Sequence, residues 1–354
     1  MTPLERILRE LIASEGPLRL DLYMGLCLGH PRHGYYMARE PFGEAGDFIT
    51  APEISQVFGE LIGVWCIAAW QAMDAPERFN LVELGPGRGT LMADIVRAAK
   101  VVPAFMAAAN IHLVETSPLL RAAQKKTLTV PVDWHDGLST VPEGPVIVVA
   151  NELFDAIPIR QFERRGGRWM ERAIGVVDDR LAIGLVESDA GARQEAAGKD
   201  GDIIEFAPAR GDIAKEIGER LARHAGAVLI IDYGHLVTAP GDTLQAVRRH
   251  KMVAITDSPG HCDLTSHVDF EALGKALRQG GAVTMPALTQ RSFLLAMGLE
   301  ARMAALSAKA DQRTREVLRR AMTRLADEAE MGNLFKVLAA TSQWLATPYP
   351  FGVT

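Results

Sequence analysis

The chain has 354 residues, 48% hydrophobic and 23% charged, a balance that suits one large α/β domain or two domains and excludes a disordered tail, a collagen-like repeat and a coiled coil. A formal net charge of −6 offers no general attraction to a phosphate backbone, so nucleic acid is not the expected partner. Three cysteines, Cys27, Cys66 and Cys262, lie far apart with no Cys/His cluster at zinc-ligand spacing, which points to a reducing compartment and to no metal.

At the N-terminus Thr2, Pro3 and Glu5 supply a cap acceptor, a proline in the first turn and a reciprocal glutamate, predicting a helix to about Ser14 with Gly16 as its stop. Glu5 and Glu10 among the arginines distinguish this segment from acid-poor transit peptides, and it lacks the apolar centre of a signal peptide. A bacterial-type cytoplasm without a targeting segment is the expected setting. Residues 29 to 50 are rich in Gly and Pro around Tyr35 and Tyr36 and read as a loop. Thr50-Ala-Pro-Glu53 then repeats the capping pattern and opens a helix through about Gln71, apolar all round in its second half and so buried. The apolar run from Leu61 to Met73 is interrupted by Gly63 and Gln71 and is too short to cross about 30 Å of hydrocarbon.

From residue 79 the rhythm changes to short apolar strands and amphipathic helices: FNLVEL, a glycine turn, LMADIVRAAK, IHLVET, SPLLRAAQKKTL, VDWHD, VIVVA at 146 to 150 and AVLIIDYG at 227 to 234. Apolar runs of this length between helices predict parallel strands buried on both faces, hence a doubly wound α/β sheet. Residues 160 to 205 read as an inserted antiparallel meander, with turn signals at Gly166-Gly167 and Asp178-Asp179 and a surface loop over 185 to 202. Residues 285 to 354 read as helices plus a short tail. The expected organisation is an N-terminal helical and loop extension, 1–75, and a Rossmann-like domain, 76–354, with an insertion at about 160–210.

Glu83-Leu-Gly85-Pro-Gly87-Arg-Gly89-Thr90 falls between the first strand and its helix, where glycines allow a sharp turn and a close backbone approach to a ligand. The spacing is GxGxG rather than the GxGxxG of dinucleotide folds, and Glu83 precedes it by two positions. A pyrophosphate is repelled by a neighbouring carboxylate, whereas an ammonium is attracted to one, so Glu83 favours S-adenosylmethionine over NAD. Glu115, at the end of IHLVET, is placed to accept both ribose hydroxyls, or serves the helix cap at Thr116 and Ser117. Asp136 reads either as an acceptor for the adenine amino group or as a solvated loop acid. Trp134 and Leu138 read as base-packing residues or as core.

Five segments, GDFITAPEISQVFGE (46 to 60), ELGPGRGTL (83 to 91), ANELFDAIPIRQF (150 to 162), IDYGH (231 to 235) and CDLTSHVDF (262 to 270), resemble the MidA-type family of class I S-adenosylmethionine-dependent methyltransferases. The resemblance runs from the first helix almost to the C-terminus. It implies a class I methyltransferase sheet with an N-terminal helical part. It also implies symmetric dimethylation of an arginine on the 49-kDa-type subunit of respiratory complex I during assembly, that subunit being the protein partner; a homodimer is open.

On that footing Asn151, Glu152 and Asp155, after the buried strand VIVVA, are arginine receivers or caps of the following turn. Asp232, in Asp232-Tyr233-Gly234-His235, is placed to close the substrate cleft. His267 reads as a substrate contact and proton acceptor or as a neighbour of the cap formed by Thr265 and Ser266. Asp47 and Thr50, with Glu53, fold over the cofactor in the family reading, although capping alone accounts for Thr50 and Glu53. The arginine clusters Arg164-Arg165-Arg168-Arg172 and Arg313 to Arg324 read as solvated faces or docking patches. A cofactor-binding assembly factor with little turnover and a small-molecule or RNA-base methyltransferase are the competing functions. The missing Asn/Asp-Pro-Pro-aromatic motif counts against an amino base.

Overall fold

The structure, a computed structural model, describes residues 1–38, 50–187 and 198–352. The helices that bear on the site are α1 (Pro3–Glu15), α2 (Leu20–Gly29), α3 (Gln56–Ala72), α4 (Thr90–Ala99), α5 (Pro118–Thr127), α6 (Pro208–Arg223) and α7 (Phe270–Gln279). The central sheet is built from β1 (Phe79–Leu84), β2 (Ala109–Val114), β3 (Asp133–His135), β4 (Val146–Asn151), β5 (Gly226–His235) and β6 (Phe335–Thr341).

Strand order is β3-β2-β1-β4-β5-β6. Every neighbouring pair is parallel except β5 and β6, which run antiparallel from Ala227↔Thr341 to Tyr233↔Phe335. Short segments Val283–Thr284 and Leu288–Thr289 add to β6, and Val268–Asp269 runs parallel beside the end of β5. Apart from the antiparallel β6 and its short additions, this is the parallel doubly wound α/β sheet that the apolar rhythm predicts. Residues of one strand divide between two cores: Ile147 and Val149 face α3 and α4, while Val146, Val148 and Ala150 face α6 and α7. That two-sided burial is why β1 and β4 lack a polar face. Close helix approach needs small residues; a Cβ on Gly59 of α3 would lie 2.4 Å from Asp94 Cβ of α4.

α1 forms with the predicted Thr2 cap, the Glu5 N–H donating to Thr2 Oγ1 at 3.0 Å and Gly16 at φ 88° ending it, while the Glu5 carboxylate accepts from Arg9 in place of the expected return bond to Thr2. The inserted meander is observed as Arg160–Arg165, Arg168–Val177, Arg180–Val186 and Ile203–Phe206. Its turns at Gly166-Gly167 and Asp178-Asp179 all have positive φ, the hairpin geometry those residues tolerate. Leu18–Arg19 pairs with the meander, and α1 and α2 share a third core with Ile159, Ile174 and Leu264.

Two expectations need correction. The helix expected from Thr50 through Gln71 is broken: Ala51–Ile54 is one short turn, Ser55 is extended, and its Oγ accepts from the Val57 N–H to start α3. Secondly, Phe335–Thr341 is a strand rather than part of a helical tail; Lys, Leu and Ala favour helix locally, and antiparallel pairing with β5 overrides that preference. No helix among the described residues is long and apolar enough to cross a membrane.

Candidate active site

β1 lies between β2 and β4, so successive connections leave it in opposite directions and open a crevice at the carboxyl ends of the strands. A cavity of about 360 Å³ occupies that crevice. Gly85, Gly87 and Gly89 all have positive φ, at 65°, 52° and 83°. A side chain at Gly85 would be strained by the positive φ, and its Cβ would lie 2.8 Å from Leu153 Cδ1 and push that side chain aside. Gly85 and Gly87 line the cavity, and Gly89 stands just behind as the N-cap of α4.

Glu83, on β1, lines the cavity and is 2% exposed. Its Oε2 is buried with no hydrogen-bond partner among the described residues, and burial pushes its carboxyl up to about 8. A buried carboxyl oxygen without a donor is costly unless a ligand supplies one, so this atom marks a cation or N–H binding position.

Glu115 lines the same cavity at the end of β2. Its Oε1 accepts the Ser117 N–H at 2.7 Å, and its Oε2 accepts Gln124 Nε2 at 3.4 Å. The cap geometry and the cavity position thus coexist in one carboxylate. Gln124, absent from the sequence reading, is fully buried; its Nε2 also donates to the Gly87 carbonyl at 2.7 Å, and its Oε1 accepts the Trp134 indole at 2.8 Å. It ties the glycine turn to the end of β2. Asp136 lies outside the cavity lining, with its side chain 84% exposed and paired to Arg121 at 2.6 Å. Trp134 and Leu138 pack into the two cores rather than line the cavity.

After β4 the chain turns sharply, with Glu152 at φ 51°, a strained setting for a residue with a side chain. Asn151, Glu152 and Asp155 all line the cavity. Glu152 Oε1 accepts from the Ala51 N–H and Asn151 Nδ2, both at 3.1 Å, and burial pushes its carboxyl up to about 7. Asn151 Oδ1 and Asp155 Oδ1 are buried without partners among the described residues. Burial also raises the Asp155 carboxyl, opposed by the Arg210 charge.

Asp232 and His267 stand outside the lining. Asp232 is fully buried and braces the turn after β4, while His267 packs edge-on to Tyr233 at 5.4 Å. Arg210, on α6, is buried and donates to the Asp155, Ile157 and His267 carbonyls and to Ser266 Oγ. It stitches the turn after β4 to the segment around Ser266. A lone arginine on an amphipathic helix gave no sequence signal for this role.

Thr50 and Glu53 line the cavity; Glu53 lies 3.7 Å from Arg88, and Thr50 caps Ala51–Ile54 through its backbone conformation without a side-chain bond. Asp47 lies outside the described residues. Among the described lining residues Glu53, Glu83, Glu115, Glu152, Asp155 and Asp263 are acids and Arg88 is the only Arg or Lys. A cavity of that balance suits cationic occupants.

A family model described as "Putative S-adenosyl-L-methionine-dependent methyltransferase" matches residues 61–287. The chain belongs to this methyltransferase family. It is 35% identical over 369 residues to human "Protein arginine methyltransferase NDUFAF7, mitochondrial", covering 96% of this chain and 83% of the relative. The Drosophila melanogaster homolog of that protein is 36% identical, with 95% and 84% covered. A crystal structure from Burkholderia thailandensis bound to S-adenosyl-homocysteine superposes with a TM-score of 0.83 at 28% identity, covering 96% of this chain and 91% of that one.

The cavity fits the methyltransferase cofactor on its own geometry: an acid oxygen on Glu83 without a partner among the described residues, a turn of three glycines at positive φ and a second acid at Glu115. Within the arginine clusters Arg165 pairs with Glu163 at 2.6 Å, Arg172 meets Asp242 at 2.9 Å, and Arg319 and Arg320 share Glu316. No group of three or more His, Cys, Asp or Glu side chains among the described residues has metal-holding geometry.

Proposed function

We propose that this chain transfers a methyl group from S-adenosylmethionine to an arginine of a protein substrate. The family resemblance points to the 49-kDa-type subunit of respiratory complex I as that substrate, during complex assembly. The observation that carries the reading is the cavity's charge: among the described residues six lining carboxylates face one basic side chain, and buried oxygens on Glu83, Asn151 and Asp155 have no donor. A cofactor cation and an acceptor cation together answer that excess. The relatives named protein arginine methyltransferase support the same acceptor. Their names are mitochondrial, so a cytoplasmic setting for this chain is part of the proposal.

The bound cofactor supplies an electrophilic methyl on a sulfonium. Glu83 would hold the ammonium of the methionine moiety, the glycine turn would let the backbone approach, and Glu115 would take the ribose hydroxyls. Asn151, Glu152 and Asp155 orient the guanidinium. Arginine is a weak nucleophile because its charge is delocalised, and carboxylates on one side draw that charge away from the attacking nitrogen. Most of the rate then comes from holding that nitrogen about 3–3.5 Å from the methyl carbon, in line with its bond to sulfur. Glu152, held near 7 by burial, is matched to take the proton that the methylated nitrogen loses at neutral pH.

Calorimetric titration with S-adenosylmethionine and, separately, NAD tests the cofactor, and mass spectrometry of arginine-containing substrates tests the reaction. Micromolar binding of S-adenosylmethionine alone, lost in Gly87→Val, with +14 Da increments on arginine, is the expected result. Binding of NAD, or methyl groups on another residue type, overturns it.

A further inference from the structure

One acid of the cavity is contributed by a segment far from the loops already discussed. Tyr36 and Asp263 are 227 positions apart, and the Tyr36 hydroxyl donates to Asp263 Oδ1 at 2.9 Å. Asp263 is 5% exposed and lines the cavity at the start of the strand Asp263–Thr265. That strand runs up to Asp155, where the Ser266 N–H donates to the Asp155 carbonyl at 3.1 Å. Burial and the carboxylates of Asp263 and Asp155 together hold the Tyr36 phenol in its neutral form, so both acids bear on one hydroxyl. Tyr36 is fixed from its other end: its carbonyl accepts Ser117 Oγ at 2.7 Å, and the Ser117 N–H is held by Glu115.

A group of acids does not by itself define a site. Here Asp155 is 7% exposed, lines the same cavity, and keeps its Oδ1 without a partner among the described residues. The buried guanidinium of Arg210 bonds the Asp155 carbonyl, leaving that oxygen for a ligand. The adjoining wall is α2, which lines the cavity with Gly25, Leu28 and Gly29: among the described residues a Cβ on Gly29 would meet nothing within 4 Å, and one on Gly25 only Pro158 Cγ at 3.7 Å. The helix leaves a slot beside the acids.

We propose that Asp263 determines acceptor specificity: with Asp155 it forms a two-carboxylate fork, set by Tyr36, that receives a planar guanidinium in preference to an ammonium. The assignment rests on the arginine-methyltransferase reading and adds the residue that selects the acceptor. A guanidinium presents five donors in a rigid fork and engages two carboxylates at once, whereas an ammonium is a compact, strongly hydrated point charge. Asn at position 263 retains an oxygen for Tyr36 and removes the charge.

The test uses the full chain loaded with S-adenosyl-homocysteine and titrated with Nα-acetyl-arginine methylamide or Nα-acetyl-lysine methylamide. Wild type is expected to bind the arginine probe at least tenfold tighter than the lysine probe. Asp263→Asn should lose about tenfold in arginine affinity and most of the discrimination, with S-adenosyl-homocysteine affinity within threefold. Tyr36→Phe should lose about threefold with an unchanged melting temperature. A folded Asp263→Asn protein that binds the arginine probe as wild type does, or a wild type that does not distinguish the probes, overturns the assignment. Should Asp263→Asn fail to fold, undiminished discrimination in Tyr36→Phe overturns it instead. Methylation of arginine peptides is read separately by mass spectrometry, so a protein that discriminates the probes yet methylates no arginine keeps the fork and loses the proposed reaction.

Discussion

Asp232 Oδ2 accepts the N–H groups of Phe154 at 2.9 Å and Asp155 at 3.1 Å, so the acid ending β5 braces the turn that carries the acid after β4. Its other oxygen accepts the Tyr233 N–H at 2.9 Å. These bonds give Asp232 a positioning role in place of direct contact with an acceptor. Asp232→Ala leaves buried N–H groups without acceptors and is expected to cost about 2–4 kcal/mol of stability, read by denaturant unfolding. Asp232→Asn keeps one acceptor oxygen and should cost less. Equal stability of wild type and the alanine variant would show that the turn holds without the brace.

Glu83 gives cofactor binding a defined pH dependence. Its carboxyl is held at about 8 by burial, so below that pH a cationic ligand must displace a proton. Affinity for S-adenosylmethionine should tighten as pH rises from 6 toward about 8 and weaken above it, where the ligand's own α-ammonium loses its proton. At pH 7, titrations in buffers of different ionisation enthalpy should show proton release that disappears in Glu83→Gln, along with about 10–100-fold of affinity. Stability of the unliganded protein runs the other way. A folded value raised above the unfolded one near 4.5 means the contribution is present at low pH and is lost as pH rises toward 8. Glu83→Gln should therefore melt no lower than wild type at pH 8, and a lower melting point there contradicts the raised carboxyl.

Gly29, the last residue of α2, separates cavity occupancy from folding. A Cβ there meets no neighbour within 4 Å among the described residues, the residue lines the cavity, and the position does not require positive φ. Gly29→Leu is expected to leave stability unchanged or raise it by up to about 1 kcal/mol, since glycine weakens a helix. The acceptor KM should rise at least tenfold with cofactor affinity nearly constant. Full turnover by a normally folded Gly29→Leu protein would remove the α2 wall from the acceptor path.

Where a signal is local, the sequence shows it plainly: the Thr2 cap with Glu5, the Gly166-Gly167 and Asp178-Asp179 turns, and the uninterrupted apolar run of β4. The glycine turn and Glu83 belong to the same class, because a turn at a strand's end and the strand itself are contiguous. What stayed hidden depends on partners far along the chain. Phe335–Thr341 has helix-favouring residues and becomes a strand through β5, about a hundred residues earlier. Tyr36 and Asp263, or Arg210 and Asp155, meet only after the sheet has formed. Asp136 satisfies the pattern of an adenine contact, but Arg121 on α5 draws it to the surface. Residue type and spacing there do not fix which way a carboxylate faces.

A histidine pair across β2 and β3, with His112 buried and His135 half-buried, sets the acid sensitivity of the fold independently of the cavity. His112 is 2% exposed, with Nε2 at 3.1 Å from Asn80 Oδ1 and Nδ1 at 3.0 Å from His135 Nε2. Asn80 Nδ2 donates to the Pro142 carbonyl, which fixes its Oδ1 as an acceptor and places the His112 proton on Nε2. A second proton would have to sit on Nδ1 facing His135. Burial, then the neighbouring His135 charge, pushes His112 down to about 4, with Asp133 at 4.0 Å only partly opposing them. The unfolded chain takes up a proton near 6.5 and the folded one not until about 4, so stability falls as pH drops through that interval. His112→Gln, which keeps a donor for Asn80 but does not titrate, should flatten the melting-temperature profile between pH 6.5 and 4.5 relative to wild type. Parallel profiles for the two proteins would show that His112 does not carry the acid sensitivity.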